Sequence, residues 1–456
     1  MKMEEYLSTV TDQIRCRMAR EMVSEELKSH ILDQAEAYEA EGMFEDDALE
    51  KAVREMGDPV ETGVSLDRVH RPQMAWSMML LVGIISVLGI AIHVVLGMQY
   101  PEDTRLGMWF VSRYVGPVVL GYAAMLLVYR LDYSILGACA KWTAAGFLTL
   151  MIGLSCFTGA GIMINGALLY LRLGAFSFMI PMVMYLYAPI YGALLYHYRG
   201  GGYEVLWKLL PWTAIPLLFL AKLPSLTSFL TLGVVMLGLF SVAVSKGWYQ
   251  MNRKRVLIGA WLCILCLPVL LTGAWWLTGN LAEYQMARIR AFWSGGETSY
   301  LEEMIHSLLG ESRMIGGSGA LSGGPEMFRD LWAELNSDFM LVYVISAYGI
   351  LAGLLVVGLL VGLTVKIFRI SMGQRNQLGM IVGCSCGMVI LAQAVLHLAV
   401  NLGIAPATSS MLPLLSAGGT GNVVFYILLG LVLSIYRYKN ILPKKRKRWS
   451  VRIISS

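Results

Sequence analysis

The sequence predicts an all-α fold, a polytopic membrane bundle of about ten transmembrane helices behind a small soluble three-helix N-terminal domain. Three observations predict it. Hydrophobic residues make up 57% of the 456-residue chain and charged residues only 15%, where soluble proteins carry roughly a quarter. Apolar runs of roughly 20 residues, enough to cross a bilayer, recur along the chain. The first 72 residues break that pattern. They hold 9 Lys and Arg against 18 Asp and Glu, a net charge of −9, while the remainder carries +14. A start this charged does not read as a cleavable secretion signal.

Residues 1–72 read as three short amphipathic helices. Leu27, Ile31, Ala35 and Tyr38 recur at helical spacing. Gly42 ends that helix, Asp46 or Asp47 can cap the next, and Gly57-Asp58-Pro59 ends the third. The segment EELKSHILDQAEAYEAEGMFEDDALEKAVREMGDPVE resembles the small permease-prefix domain found ahead of bacterial membrane proteins. Read without that resemblance, it is an acidic cytoplasmic helical hairpin suited to docking.

Residues 73–440 form the transmembrane domain, with spans near 74–97, 107–129, 134–156, 177–197, 205–222, 226–244, 256–278, 339–366, 377–400 and 412–436. Arg253-Lys254-Arg255, then Lys366, Arg369 and Arg375, then Lys444-Lys445-Arg446-Lys447-Arg448 fall on one face. The Lys/Arg bias makes that face cytoplasmic and places both termini on the cytoplasmic side of the plasma membrane. The basic tail, 441–456, favours anionic lipid headgroups. Topology already accounts for its charge, so no nucleic-acid partner is read from it. Cys263 and Cys266 have CxxC spacing but lie within a membrane helix, with no His or second pair beside them. They read as packing residues.

Residues 279–338 form a long external loop, a length that usually marks function or disorder. It holds nine of the thirteen acidic residues found after position 72. Trp293, Met304, Ile305, Leu308, Leu309, Leu331 and Trp332 give it enough apolar surface to pack on the bundle, which favours an ordered loop.

Four segments carry a resemblance. NLGIAPATSSMLPLLSAGGTGNVVFYILLG (401–430) matches N-x-G-x-x-P-v-T-G-i-x-L-P-f-i-S-y-G-G-S-S at Asn401, Gly403, Pro406, Leu412, Pro413, Ser416, Gly418 and Gly419. YQMARIRAF (284–292), GGSGALSGG (316–324) and ELNSDFMLVYVISAYGILAG (334–353) match three motifs of the long loop and the helix after it. NGALLYLRLGAFSFMIP (165–181) and LAKLPSLTSFLTLG (220–233) match two more segments. The chain, over about residues 75–440, resembles the SEDS family of shape, elongation, division and sporulation proteins, which includes FtsW, RodA and SpoVE.

The resemblance implies a glycosyltransferase that polymerises lipid II outside the membrane and releases undecaprenyl pyrophosphate. Asp338 matches the essential carboxylate of the T-D-F motif, as base or as ligand of a divalent cation, Mg or Mn. Glu334 matches the motif's Glu, one turn earlier. Arg288 and Arg172 would contact phosphate. Gly317 and Gly319 would let backbone N–H groups approach phosphate oxygens. Asn401, Pro413, Ser416, Gly418 and Gly419 would shape the lipid groove. A class B penicillin-binding protein is the implied partner, its membrane helix packed on the bundle.

Read by themselves, these residues have plainer roles. Asn336, Ser337 and Asp338 are N-cap types before an apolar run, and a carboxylate there suits the helix dipole. Gly418-Gly419 suits close helix packing. Arg288 suits an interfacial anchor, and a Gly-rich run suits a flexible turn.

The pattern also departs from the family. The motif Arg falls at Leu169 and the Trp at Tyr170. Q-P-S-E falls at Met179, Ile180, Pro181 and Met182, the following Lys at Tyr185, and the P-D-L-G Asp at Ser225. Polar residues inside a membrane are costly and usually functional, so these losses support a rival reading, a non-catalytic scaffold or regulator of cell-wall synthesis. A third reading, a lipid-precursor transporter, needs a charged path and finds Lys141, His93 and His397.

Overall fold

The computed structural model describes residues 1–98, 104–156, 161–164, 167–173, 176–223, 225–277, 300–318, 335, 337–405 and 408–439. The chain divides into two compact units, Met1–Met74 with Tyr436–Ser456, and Ala75–Ile435.

The N-terminal residues 1–72 form four helices, not three: α1 (Met3–Gln13), α2 (Arg17–Ala40), α3 (Glu45–Glu55) and α4 (Pro59–His70). The predicted stripe of α2 is real, with Leu27, Ile31 and Ala35 buried in one cluster with Tyr6 and Val10 of α1, Ile14 just after it, and Ala52 and Val53 of α3. The Tyr6 hydroxyl donates to the Met56 carbonyl at 3.1 Å. Gly57-Asp58-Pro59 ends α3 as expected, and the same residues begin α4. Gly57 turns the chain at φ 82°. Asp58 then caps the new helix, accepting the Val60 N–H at 3.1 Å, with Pro59 in its first turn. The expected cap of α3 is corrected as well. Phe44 holds that position, and Asp46 and Asp47 lie in the first turn, where their charge favours the helix dipole.

The second unit has helix in every one of the ten apolar stretches. These are α5 (Trp76–Met98), α6 (Thr104–Arg130), α7 (Ser134–Ala138) with α8 (Ala140–Cys156), and α9 (Ile180–Val183) running through a 3-10 turn (Met184–Leu186) into α10 (Tyr187–His197). Then come α11 (Glu204–Lys222), α12 (Leu226–Ser245) and α13 (Arg253–Leu277). After the loop helix α14 (Tyr300–Gly310) follow α15 (Met340–Tyr348), α16 (Ile350–Met372), α17 (Gln377–Asn401) and α18 (Gly419–Arg437). Seven helices among the described residues are each long and apolar enough to cross a membrane. The chain is a multi-pass membrane protein.

Two expected spans have different limits. The stretch at 339–366 is cut at Gly349, so the long helix starts at Ile350. Gly349 has φ 102°, and a Cβ there would lie 2.8 Å from the Met314 carbonyl oxygen. Loop residues lie against the break. Ile350 N–H donates to the Arg313 carbonyl at 3.0 Å, and Gly316 N–H to the Tyr348 carbonyl at 3.1 Å. The stretch at 412–436 becomes helical only at Gly419, after an irregular run through Pro413 and Gly418. A small antiparallel sheet also interrupts the all-α fold, in the order β1 (Gly161–Ile164), β2 (Ala167–Leu173), β3 (Phe176–Met179).

Helix α17 is buried along most of its length. Gly379, Gly383 and Gly387 recur every four residues and let its neighbours approach closely. A Cβ at Gly383 would lie 2.3 Å from Ser371 Oγ, and one at Gly387 would lie 3.0 Å from Ile367 Cγ2. The helix ends at Asn401, and that end positions the site.

Candidate active site

The helix-breaking residues set the site. Pro413, Leu414 and Leu415 form a buried turn before α18. Leu414 is left-handed at φ 65°, a conformation that costs a bulky residue energy and is held by its surroundings. Here the Tyr114 hydroxyl of α6 donates to the Leu414 carbonyl at 2.6 Å. Gly418 is needed for space, since a Cβ would fall 1.8 Å from Met411 Cε. Gly419 begins α18 with Pro117 nearby, 3.5 Å from a would-be Cβ.

This turn meets the start of α15, where Ser337 and Asp338 precede the first helical residue. The expectation that Asn336, Ser337 or Asp338 caps this helix is corrected. Phe339 holds the cap position without a side-chain bond. A side chain from another helix serves instead, with Asn401 Oδ1 accepting the Val342 N–H at 3.1 Å. Asn401 Nδ2 donates to the Asp338 carbonyl at 3.0 Å and the His397 carbonyl at 2.9 Å. Ser416 Oγ donates to the Ser337 carbonyl at 2.6 Å and accepts the Leu412 N–H at 2.9 Å.

The Asp338 carboxylate is half-buried at this junction. Ser409 Oγ approaches its Oδ1 at 3.4 Å, and the adjacent Thr408 hydroxyl pairs with Thr227 of α12 at 2.6 Å. Tyr170 of β2 belongs to the same group. Burial raises the pKa of its hydroxyl above the usual tyrosine value, with the Arg113 charge opposing the rise and the Asp338 charge adding to it. Arg172 is exposed on β2, opposite Ser177, and alternation puts it on the sheet face of Tyr170. The hairpin is tied to α18, as the Met179 N–H donates to Thr420 Oγ1 at 3.0 Å.

Asp338, Asn401, Ser416, Pro413, Gly418 and Gly419 therefore come together, with Arg172 on the adjoining hairpin. Gly317 does not join them. It packs on the far end of α15, where a Cβ would lie 3.1 Å from the Ala347 carbonyl oxygen. That helix has nine residues and is about 13 Å long. The N–H groups flanking Gly317 are spent on protein, Ser318 on the Ser346 carbonyl at 2.8 Å and Gly316 on Tyr348. Arg288, Gly319 and Glu334 lie outside the described residues.

Sequence reasoning missed Arg113, Thr227 and the contribution of Tyr170, Thr408 and Ser409. Tyr170 was visible only as a departure from a motif, and Thr408 and Ser409 only as residues inside the 401–430 segment. Arg113 and Thr227 carry no local pattern that marks them.

The lost motif charges have a neutral replacement. Met182 and Tyr185, at the positions of the motif Glu and Lys, are buried, but Gln393 Nε2 donates to the Tyr185 hydroxyl at 2.6 Å, with Ser228 and Thr231 hydroxyls on the same oxygen. The candidates for a transport path each have a local partner. His93 stacks on Tyr114 with ring centroids 3.9 Å apart, Lys141 lies over Tyr198 at 5.1 Å, and His397 Nδ1 is 3.3 Å from Ser410.

Fold and site together define a multi-pass membrane protein with the Asp338 carboxylate at a junction of broken helices. The chain belongs to the FtsW/RodA/SpoVE family of cell cycle proteins, whose family model matches residues 72–441. A probable peptidoglycan glycosyltransferase FtsW of Thioalkalivibrio sulfidiphilus is 27% identical over 381 residues, covering 78% of this chain and 88% of that protein. The peptidoglycan glycosyltransferase MrdB of Escherichia coli is 22% identical, covering 79% and 94%. Among solved structures, a chain from a peptidoglycan synthase complex matches with a TM-score of 0.62 at 21% identity, covering 80% of this chain and 98% of that one. The rod shape determining protein RodA of Thermus thermophilus matches with a TM-score of 0.55 at 18% identity, covering 80% and 97%. At these identities the structural matches establish the fold.

Proposed function

We propose that this protein is a peptidoglycan glycosyltransferase that polymerises undecaprenyl-linked lipid II into glycan strands for the bacterial cell wall. The observation that carries this reading is the Asp338 carboxylate, half-buried beside Ser409 and close enough to Tyr170 for its charge to act there, with its turn bound from two other segments. In the reaction an acceptor sugar hydroxyl attacks the anomeric carbon of the donor. The new glycosidic bond forms as the bond to pyrophosphate breaks, and Asp338 takes the hydroxyl proton. Arg113 and Arg172 carry the positive charge that the pyrophosphate leaving group needs, and Arg288 is a third candidate. The FtsW and MrdB relatives bear the glycosyltransferase name, which supports the same assignment.

The donor set also bears on a divalent cation, Mg or Mn. Among the described residues no group of three or more His, Cys, Asp or Glu is placed to hold a metal. One carboxylate plus substrate phosphates is the mode Mg favours, so Asp338 with its neighbouring hydroxyls fits a cation shared with the pyrophosphate. Such a cation would neutralise charge on the leaving group.

The proposal extends to a class B penicillin-binding protein as partner, to cytoplasmic termini, and to anionic lipids around the basic tail. The scaffold reading draws on the buried Pro181 and Met182, where the motif has Ser and Glu. The Tyr185–Gln393 network weighs against it, because that region stays polar without charge.

The test is polymerisation of labelled lipid II by the purified protein, with and without a co-expressed class B partner. Polymer from wild type and a loss of 100-fold or more, roughly, in Asp338→Asn is the expected result. No polymer from folded wild type with its partner present would leave the scaffold as the better account.

A further inference from the structure

Asn401 and Ser416 match motif positions expected at the substrate, yet their hydrogen bonds go to backbone. Asn401 is 1% exposed and Ser416 0%. Both amide hydrogens of Asn401 are used, on the carbonyls of Asp338 and His397, and its Oδ1 takes the Val342 N–H. Ser416 has one hydroxyl hydrogen, and it goes to the Ser337 carbonyl. Neither side chain retains a donor for a ligand.

The two bonds fall on successive carbonyls, Ser337 and Asp338, and come from different elements. Asn401 ends α17, while Ser416 sits in the buried turn ahead of α18. Ser416 also binds that turn internally through Leu412, and Asn422 Nδ2 donates to the Ser416 carbonyl at 2.8 Å. The chain at Ser337-Asp338 is therefore held from both sides, and the direction of the Asp338 side chain follows from the backbone that carries it.

We infer that Asn401 and Ser416 are positioning residues that fix the Ser337-Asp338 turn and thereby aim the Asp338 carboxylate, rather than ligands for the substrate. This inference rests on the reading of Asp338 as the base. Removing either side chain leaves buried carbonyl and N–H groups without partners, so the turn relaxes. A displacement of about 1 Å at a catalytic group costs about 100-fold in rate.

The experiment measures polymerisation rate against lipid II concentration for Asn401→Ala, Ser416→Ala, Ser416→Thr and Asp338→Asn, with thermal unfolding in detergent confirming that each is folded. Expected are a fall in kcat of about 100-fold in both alanine variants with KM for lipid II unchanged, and recovery of most activity in Ser416→Thr. Adding Asn401→Ala to Asp338→Asn should cause no further loss. Should Asn401→Ala fail to fold, Asn401→Asp keeps the acceptor for Val342 but loses the donor to Asp338, and it should show reduced kcat at unchanged KM. A raised KM with wild-type kcat in the folded alanine variants would overturn the inference and return both residues to the substrate. So would wild-type kinetics in Asn401→Asp. An inactive Asp338→Asn beside a fully active Asn401→Ala would sink the positioning role alone. A fully active Asp338→Asn would sink the base reading and this inference with it.

Discussion

Single residues at the junction are chosen for what they leave out as much as for what they supply. The Met411 thioether fills the space that Gly418 and Gly421 vacate, since a Cβ at either would come within 2.4 Å of its sulfur. Met411 is itself buried at 4% exposure, so it has little room to retreat. Gly418→Ala should therefore destabilise the folded protein by about 1–3 kcal/mol, read from unfolding in detergent. Met411→Ala combined with it should recover part of that loss, because the overlap then disappears. Additive losses in the double variant would show that the overlap is not the cause. The left-handed Leu414 is a second cost at the same turn, offset by the Tyr114 hydroxyl on its carbonyl.

Among the helices, close approach through glycine decides which pairs can cross. Gly430 of α18 meets the backbone of α6, and a Cβ there would lie 2.7 Å from the Met125 carbonyl oxygen. A backbone atom cannot swing aside as a side-chain end can. Gly146 of α8 has nothing within 4 Å of its Cβ position. Both are helical glycines, so propensity alone predicts that alanine stabilises each by about 0.5–1 kcal/mol. Packing separates them. Gly146→Ala should be neutral or stabilising, and Gly430→Ala destabilising by more than about 1 kcal/mol, measured by thermal unfolding. Equal effects at the two sites would mean that the α6–α18 crossing adapts freely. The same physics explains the cut at Gly349, where loop backbone occupies the space a side chain would need.

At the level of the whole molecule, charge sets the orientation expected in the membrane. Arg253-Lys254-Arg255 opens α13 and Arg369 lies in the last turn of α16, so both basic groups sit at helix ends. The positive-inside bias predicts that these ends and both termini face the cytoplasm. A single added cysteine at either terminus should react with an impermeant maleimide only after the cells are opened. Labelling in intact cells would reverse the orientation and put the Asp338 junction on the cytoplasmic side. The acidic block at 1–72 agrees with this arrangement but does not enforce it, because acidic residues contribute little to the bias.

The sequence by itself determined the membrane class, the position of all ten apolar helical stretches, and Asp338 as the carboxylate to examine. Apolar length and a motif match are local properties, and they survive without knowledge of contacts. It also placed the α2 stripe, since a 3.6-residue period is written in the residues themselves. It did not reveal the fourth N-terminal helix, because Gly57-Asp58-Pro59 both stops one helix and starts another. Nor did it reveal the cut at Gly349, the three-stranded sheet, or Ser409 and Tyr170 as neighbours of Asp338. Each of these depends on backbone or charge brought from far along the chain. The tertiary structure alone decided that Asn401 caps the helix after Asp338 and that Ser416 holds the preceding carbonyl. A buried N–H or carbonyl must find a partner, and only the folded chain says which side chain is within reach.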